Sequence, residues 1–264
     1  MTSSPARPVD GVLFDIDDTL VDTRGAFGRA LGASARRWLP PVPDAAAEAA
    51  REAELVRVWR ADVNGHYAAY TRGEVSGRAQ RMARANELHA QFGGPALDDA
   101  AYDEWDAHFD AQFRAAWAAH AEALRVVDAL VAAGLRVGAL SNAGTRYQVD
   151  KLTRVALVDR VPMLVGVDTL GFGKPDPRVF LEACRRLGTD PARTAYVGDE
   201  LDVDAVASRD AGLVGVWVDR PGGRRHPISD AQIAAAAVVR IESLDELPAV
   251  LGVVDQTDAA AHHL

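Results

Sequence analysis

A short acidic motif at the end of an apolar run constrains the fold of this chain more than any other feature. The motif, Asp15-Ile16-Asp17-Asp18-Thr19, directly follows the apolar segment from Val9 to Phe14. An apolar run of this length, bounded by polar residues, is typical of a buried parallel strand. Open α/β sheets bind their ligands beyond the carboxyl ends of the strands. The pattern therefore predicts that Asp15 and Asp17 lie at the ligand-binding edge of a parallel sheet.

The spacing of Asp15 and Asp17 indicates a site for a cation. Residues i and i+2 of an extended backbone point to the same side, so the two carboxylates would share one small volume. Like charges held this close repel each other unless a cation or a proton lies between them. Mg²⁺ is a hard ion that takes oxygen ligands and keeps room for a substrate phosphate. Taken alone, the motif is also compatible with a solvated turn at a strand end.

A second apolar run, from Leu135 to Leu140, ends in the small polar residues Ser141 and Asn142. A hydroxyl and an amide can hydrogen-bond phosphate oxygens without adding negative charge. The same pair of residues also occurs as a simple turn or as the N-cap of a following helix. This segment therefore gains weight only in combination with the others.

A third segment supplies a lysine in a constrained loop. Lys174 lies within Gly171-Phe172-Gly173-Lys174-Pro175-Asp176-Pro177, directly before an amphipathic stretch that predicts a helix. The loop does not fit a phosphate-binding P-loop, because Asp168 stands where that motif requires glycine and Pro175 where it requires Ser or Thr. Lys174 is therefore predicted to be a fixed positive charge, but not the lysine of a P-loop.

A fourth segment, from Ala195 to Asp204, carries further acids on a strand-to-helix turn. Such a turn would bring Asp199 to the same edge of the sheet as the first motif, as a metal site needs. Acids at a helix N-terminus are also stabilised by the helix dipole, and this simpler role suits Asp202 or Asp204 better than Asp199.

The order of these four segments resembles the signature of the haloacid dehalogenase-like hydrolase superfamily. The resemblance extends over nearly the whole chain, since the segment from Val216 to Arg220 also looks like the fifth core strand of these enzymes. The chain departs from the usual pattern at Ala143, where relatives often carry glycine, and at Val203, where many carry asparagine. Within the superfamily, the second motif with Gln148 and Lys151 looks similar to the phosphatase branch that contains N-acylneuraminate-9-phosphatase and pyrimidine nucleotidases.

The resemblance implies catalytic roles for the core residues. Asp15 would be the nucleophile that becomes an aspartyl phosphate. Asp17 would protonate the leaving alkoxide and then activate water. Ser141 and Asn142 would hold phosphoryl oxygens, while Lys174 would offset the negative charge on Asp15 and on the phosphoryl group. The implied activity is the hydrolysis of a small soluble phosphomonoester.

The resemblance also implies Mg²⁺ as the cofactor. Its ligands would be Asp15, the backbone carbonyl of Asp17, and Asp199, with Asp204 as a ligand through water or as a support for the site. Phosphoryl transfer depends mostly on positioning and on the neutralisation of charge, and this set of residues offers both.

The residues between the first two motifs predict a separate helical domain. From Thr23 to Glu122 the chain is rich in Ala, Arg and Glu at helical spacing, and it shows no clear strand. Breaks at Pro40-Pro41-Val42-Pro43, around Gly73 and at Gly93-Gly94-Pro95 indicate four or five helices. We therefore predict an inserted all-helical cap domain over residues 23–122.

The rest of the chain predicts an α/β core made of residues 1–22 and 123–264. After Leu124, apolar strands alternate with amphipathic helices, and this alternation gives a Rossmann-like parallel sheet with helices on both faces. Residues 1–8 and 255–264 have the composition of disordered tails.

The resemblance assigns a function to the insert as well. In this superfamily, an insert between the first two motifs is a mobile helical cap over the active site, which excludes water and contacts the leaving group of the substrate. Its polar residues are therefore candidates for substrate binding, namely Arg24, His66, Tyr67 and Arg72.

Composition limits the partners of the chain. The net charge of −9 argues against nucleic acid, because a phosphate backbone requires a basic surface. The single cysteine, Cys184, excludes an intramolecular disulfide framework and is predicted to lie in the core. No apolar stretch has membrane length and the N-terminus lacks a signal-type apolar region, so we predict a cytoplasmic protein without membrane partners. The sequence is compatible with a monomer or a homodimer.

Several alternative functions share parts of this pattern. A 2-haloacid dehalogenase would use Asp15 to displace halide from carbon, and the other core aspartates would then lack a purpose. A sugar-phosphate mutase would keep the whole core set, so the sequence leaves that reaction open. A phosphonatase would need a lysine in the cap, and the insert contains none. A non-catalytic binding module on the same fold is disfavoured because the core set is intact.

Overall fold

The computed structural model describes residues 9–71, 74–224 and 226–253 of the chain. The predicted disordered tails, residues 1–8 and 255–264, lie outside the described residues. Backbone contacts divide the chain into two compact units. Residues 23–117 form the helical unit, and the residues before and after them form the α/β unit. The sequence prediction placed the second boundary between these parts after residue 122.

The helical unit contains five helices among its described residues. They are α1 (Thr23–Trp38), α2 (Ala45–Ala61), α3 (His66–Thr71), α4 (Gly77–Phe92) and α5 (Asp99–Ala115). Side-chain caps fix where three of them begin, namely α2, α4 and α5. The backbone N–H of Ala47 donates to the Asp44 carboxylate, and that of Ala79 donates to the Ser76 hydroxyl. Each cap satisfies a donor that the first turn of a helix leaves unpaired.

The helical unit has a hydrophobic core of its own. Side chains from α1, α2, α4 and α5 pack together, among them Leu31, Leu55, Leu88 and Trp105, and all four are buried. The ring of Trp105 stacks on Phe109, with 5.4 Å between the ring centroids. Burial of this apolar surface stabilises the helical unit.

The α/β unit contains a six-stranded parallel sheet within the described part of the chain. Its strands are β1 (Gly11–Phe14), β2 (Arg136–Leu140), β3 (Met163–Val165), β4 (Thr194–Gly198), β5 (Val214–Val218) and β6 (Val239–Ile241). Its helices are α6 (Ala123–Ala132), α7 (Thr145–Arg154), α8 (Pro177–Leu187), α9 (Ala207–Asp210), α10 (Asp230–Ala236) and α11 (Leu247–Val250). A π-helical turn, Leu201–Val206, leads directly into α9, and short 3₁₀ segments lie at Val167–Thr169, Pro191–Arg193 and Leu244–Glu246.

The strand order β3-β2-β1-β4-β5-β6 places β1 in the middle of the sheet. The chain moves outward on one side through β2 and β3, then returns to β4 on the other side of β1. Phe14, near the end of β1, pairs with Ala139 of β2 and with Val197 of β4. The three strands therefore end at one level, at the switch point where open α/β sheets bind their ligands.

The central strand is buried on both faces, which explains its continuous apolar sequence. Val12, Leu13 and Phe14 have no exposed surface. On one face, Leu13 belongs to a cluster that α8 completes with Phe180 and Cys184. Cys184 thus lies in the core, as the sequence predicted.

The predicted fold class, an α/β fold with a parallel sheet, is confirmed. The helices predicted after the second and third motifs correspond to α7 and α8. Among the described residues, no helix combines the length and the apolar character needed to cross a bilayer.

The contact between β5 and the π-helical turn gives a test of the fold. A Cβ atom added at Gly215 would meet the carbonyl group of Ala205 and approach the Ser208 hydroxyl. We expect Gly215→Ala to lower the free energy of unfolding by about 1–3 kcal/mol, because this backbone cannot move aside cheaply. Urea unfolding measures the loss.

Gly77→Ala is the matched control for this substitution. Gly77 lies within α4, and an added Cβ would make only ordinary contacts, the nearest at 3.5 Å. Alanine favours helix over glycine by up to about 1 kcal/mol, so stability should stay level or rise. Equal stability of the Gly215 variant and the unmodified chain would contradict the packing described above.

Candidate active site

The end of β1 places Asp15 at the centre of the carboxyl edge of the sheet. Its backbone N–H donates to the carbonyl of Val197 on β4, at 2.8 Å, so the ladder of the sheet holds the residue directly. The Asp15 side chain is 9% exposed. An acid this buried must be compensated by neighbouring positive charge or by hydrogen bonds.

Lys174 provides the compensation. Its ammonium donates to Asp15 Oδ1 at 2.7 Å, to Asp204 Oδ1 at 2.7 Å and to the Tyr196 hydroxyl at 2.8 Å. An ammonium has three protons, so these three acceptors use its full donor capacity. The Tyr196 hydroxyl in turn donates to the carbonyl of Leu140, at 2.9 Å. Lys174 is therefore held in one position by three segments that are distant in sequence.

Burial and ion pairing set the charges in this group. Burial raises the pKa of Asp15 to about 7, although the nearby Lys174 ammonium opposes the shift. The carboxylates of Asp204 and Asp17 raise it further. Burial by itself would lower the pKa of Lys174, but Asp15 and Asp204 outweigh that effect and hold the pKa well above its usual range. Lys174 is thus a permanent cation, and a further cation nearby would favour the charged form of Asp15.

The turn after β4 presents Asp204 to the lysine. Asp204 lies in the π-helical turn, and its Oδ2 accepts a hydrogen bond from the backbone N–H of Glu200 at 3.0 Å. Gly198 makes room for this arrangement, since a Cβ atom there would run into the Asp204 carboxyl group. π-Helical turns are rare and occur frequently at functional sites.

Three carboxylates at this edge could hold a metal ion. One oxygen from each of Asp15, Asp199 and Asp204 lies within 4.8 Å of the other two. The indole N–H of Trp217 donates to the carbonyl of Asp199 at 3.0 Å and fixes the backbone there. With the three carboxyls ionised, Lys174 balances one of three negative charges, so a divalent cation would neutralise the group. The all-oxygen donor set suits a hard ion such as Mg²⁺.

The side chain of Asn142 makes two hydrogen bonds to the backbone of Lys174. Its Oδ1 accepts from the backbone N–H of Lys174 at 2.7 Å, and its Nδ2 donates to the Lys174 carbonyl at 2.9 Å. Gly173 allows this close approach, because an added Cβ would overlap the Asn142 amide. The amide thus clamps the lysine loop to the end of β2. Phosphoryl binding by this side chain stays a prediction.

Asp17 and Ser141 meet at one helix of the α/β unit. The Gln148 amide on α7 donates to Asp17 Oδ2 at 2.7 Å and to Ser141 Oγ at 2.8 Å. The Lys151 ammonium, one turn further along α7, forms an ion pair with Asp17 Oδ1. The predicted acid–base residue and the predicted phosphoryl-binding hydroxyl are therefore neighbours.

The candidate substrate residues of the insert lie in the helical unit. Arg24 is half-buried in the first turn of α1. His66 Nε2 lies 2.8 Å from Glu87 Oε1, and Tyr67 is exposed, with its ring centroid 6.1 Å from that of Tyr70. Arg72 lies outside the described residues. Substrate binding by these residues stays a prediction.

Tyr196 and Trp217 are site residues that the sequence analysis did not identify. Both lie on apolar strands, where an aromatic residue indicates core packing. The sequence offered one signal for both residues, which is the polar group that each ring carries. A buried Tyr or Trp needs a hydrogen-bond partner, and at a strand next to acidic motifs that partner is frequently a site residue.

The chain is similar in sequence to proteins of one family of hydrolases. A family model described as haloacid dehalogenase-like hydrolase matches residues 9–212. The N-acetylmuramic acid 6-phosphate phosphatase of Pseudomonas aeruginosa is 32% identical over 206 residues, which cover 76% of this chain and 77% of that protein.

Two further similar proteins match different shares of the chain. The glyceraldehyde 3-phosphate phosphatase of Methanopyrus kandleri is 37% identical over 87 residues, and this match spans 33% of the chain and only 37% of that protein. A hydrolase structure from Deinococcus radiodurans R1, solved with bound phosphate and sodium, superimposes with a TM-score of 0.67 at 23% identity. It covers 94% of this chain and 98% of that one, and it supports the fold alone.

The lysine cluster predicts how the α/β unit responds to loss of the Tyr196 hydroxyl. Tyr196→Phe removes an acceptor of the buried Lys174 ammonium and the donor to the Leu140 carbonyl. Because neither group can reach water, we expect the free energy of unfolding to fall by about 1–3 kcal/mol. Denaturant unfolding with the Trp fluorescence as readout measures the change.

Tyr102→Phe serves as the control, because Tyr102 is equally buried but donates to Asp106, whose side chain is 37% exposed and accessible to water. Loss of the Tyr102 hydroxyl should lower the free energy of unfolding by clearly less than loss of the Tyr196 hydroxyl. If the Tyr196 variant loses no more stability than the Tyr102 variant, the hydroxyl does not hold the cluster as described.

Proposed function

The chain belongs to the haloacid dehalogenase-like hydrolase family, in its phosphatase branch, and from this premise we propose that it is a Mg²⁺-dependent phosphomonoesterase. Its substrate would be a small phosphorylated metabolite, hydrolysed through an aspartyl phosphate on Asp15. One observation carries the proposal. The buried Lys174 ammonium orients the Asp15 carboxylate at the ligand-binding edge of the sheet, with Asp199 and Asp204 beside it.

In the first step, a carboxylate oxygen of Asp15 forms a bond to phosphorus, and the bond from phosphorus to the ester oxygen breaks. Asp17 gives its proton to the leaving oxygen, which departs as an alcohol. Lys174 offsets the negative charge of Asp15 and of the phosphoryl group. The Ser141 hydroxyl donates to a phosphoryl oxygen and orients the group for attack.

In the second step, water attacks phosphorus and the bond to Asp15 breaks. Asp17, now ionised, accepts the proton of the attacking water, so each turnover restores both residues to their starting state. The products are inorganic phosphate and the alcohol. Asp15 and Lys174 are again paired once phosphate leaves.

The residues that would hold Mg²⁺ are Asp15, Asp199 and the backbone carbonyl of Asp17, with Asp204 in support. When bound, the ion supplies positive charge to the phosphoryl oxygens and fixes their orientation relative to Asp15. Support for this site comes from the charge of the group, in which one lysine faces three clustered carboxylates.

Halide displacement from carbon is a weaker candidate than phosphoryl transfer. It needs one nucleophilic carboxylate, no proton donor for the leaving group and no metal, which would leave Asp17 and Asp199 without a role. The two relatives named above have names that specify a phosphorylated sugar and a phosphorylated sugar derivative, and these names suggest a small phosphorylated metabolite as the substrate. The cytoplasmic location stays a prediction.

The nucleophile is tested by Asp15→Asn. An amide is a very poor nucleophile but has the shape of the carboxyl group, so we expect phosphate release to fall to background while the fold is retained. The measurement is phosphate release from a panel of phosphorylated sugars and hydroxy acids. Asp18→Asn is the control, since Asp18 lies in the same turn at φ 61°, a conformation that Asn also tolerates. Full activity of the Asp15 variant would exclude this mechanism.

The metal is tested by chelation and by a ligand substitution. Excess chelator should abolish turnover and added Mg²⁺ should restore it. Asp199→Ala should raise the Mg²⁺ concentration required for half-maximal activity, whereas Asp202→Ala should not, because Asp202 is an exposed acid of the same turn. Undiminished turnover in chelator, or halide release from a 2-haloacid, would refute the proposed chemistry.

A further inference from the structure

Two residues of α7 hold both oxygens of the Asp17 carboxylate. Lys151 pairs with Oδ1, and Gln148 donates to Oδ2 at 2.7 Å. Gln148 and Lys151 are three residues apart in a helix and therefore share one face. They are distant from Asp17 in the chain, by 131 and 134 residues. The contact thus depends on how α7 is placed against the end of β1.

The start of α7 is itself fixed. Asp168 Oδ1 accepts hydrogen bonds from the backbone N–H of Thr145, at 2.9 Å, and from its hydroxyl, at 2.7 Å. These bonds tie the first turn of the helix to the segment that follows β3. The helix face that carries Gln148 and Lys151 is consequently a rigid support for Asp17.

The ion pair of Lys151 with Asp17 contributes little to stability. The Lys151 side chain is 1% exposed, while that of Asp17 is 28% exposed. Taking an ammonium out of water costs several kcal/mol, and a buried ion pair is frequently matched or exceeded by an apolar side chain of the same volume. Replacement of Lys151 by methionine should therefore leave the unit folded, since Asp17 keeps access to water.

Gln148 connects Asp17 to the hydroxyl of Ser141. Its Nε2 donates to both, whereas its Oε1 is buried and has no hydrogen-bond partner among the described residues. A buried unsatisfied acceptor is destabilising, so this orientation of the amide depends on the two hydrogen bonds that Nε2 donates. Rotating the amide would place its oxygen against the Asp17 carboxylate.

The same contact determines how Ser141 can act. Its Oγ accepts from Gln148 Nε2 at 2.8 Å and from the backbone N–H of Ala143 at 3.2 Å. A hydroxyl has two acceptor positions and one donor. With both acceptor positions used, the proton of Ser141 is directed away from them and can be donated to a phosphoryl oxygen.

We propose that Lys151 and Gln148 are positioning residues for the reaction, which hold the Asp17 carboxyl group toward the leaving oxygen. As donors to both of its oxygens, they also stabilise the carboxylate that forms when Asp17 gives up its proton. Gln148 also orients the Ser141 hydroxyl as a donor. This inference rests on the proposed function, because it assumes that Asp17 protonates the leaving group. It adds the expectation that loss of Lys151 or Gln148 lowers activity more on esters with poor leaving groups than on esters with good ones.

The test compares two esters of similar size, benzyl phosphate and 4-nitrophenyl phosphate. The benzyl alkoxide needs a proton to leave, whereas the nitrophenolate leaves without one. The parameter kcat/KM reports only steps up to the first irreversible one, so it isolates transfer to Asp15 from the later hydrolysis. The variants are Lys151→Met, Lys151→Arg and Gln148→Met, and Arg154→Met is the control, an exposed basic residue of the same helix.

We expect Lys151→Met to lower kcat/KM for benzyl phosphate by about 10²-fold, the scale of a general acid, with at most a few-fold loss on 4-nitrophenyl phosphate. Lys151→Arg should restore most of the benzyl activity. Gln148→Met should also lower the ratio of benzyl to nitrophenyl activity, and it supplies the same readout if Lys151→Met does not fold. Arg154→Met should leave the ratio unchanged.

Parallel losses on both esters, or an unchanged ratio in the Lys151 and Gln148 variants, would overturn the positioning role while leaving the phosphatase activity in place. Failure of the proposed function would be seen in the unmodified chain rather than in the variants. If the unmodified chain hydrolyses neither ester in the presence of Mg²⁺, the phosphatase proposal falls, and the inference falls with it.

Discussion

The structure of the active edge depends on one buried cation. The Lys174 ammonium lies between the carboxylates of Asp15 and Asp204, at 2.7 Å from each, and also contacts the Tyr196 hydroxyl. An ammonium removed from water is tolerated only where acceptors surround it. The loop of Lys174, the strand β4 and the π-helical turn must therefore keep their relative positions, because a shift of any one would leave a buried charge unpaired.

The same interaction explains why the site is suited to a second cation. Lys174 neutralises only one of the three negative charges that Asp15, Asp199 and Asp204 carry when ionised. Burial then makes the charged form of Asp15 unfavourable, which appears as its raised pKa. A nucleophile has to be ionised to attack phosphorus. Positive charge from a metal ion would favour that form, so the electrostatics of the group support the proposed Mg²⁺ site.

The sequence predicted the parts of this site that depend on local pattern. Apolar runs followed by polar residues located β1 and β2, and the order of the motifs predicted the family. The clamp of Asn142 on the Lys174 backbone was not predictable, because a Ser-Asn pair at a strand end does not specify its partner. The contacts of Asp17 with α7 were also not predictable from the sequence. They join residues more than 130 positions apart and depend on how the helix is placed on the sheet.

The central claim is that Asp15 takes the phosphoryl group from the substrate, and acid-quench mass spectrometry tests it most directly. Acyl phosphates survive brief exposure to acid, so enzyme mixed with a good substrate and Mg²⁺ can be quenched, digested and mapped. We predict one phosphoryl group on the peptide that contains Asp15, formed within the first turnover and lost on hydrolysis. A phosphoryl group on another residue, or rapid turnover with no protein-bound phosphoryl group at any quench time, would contradict the account.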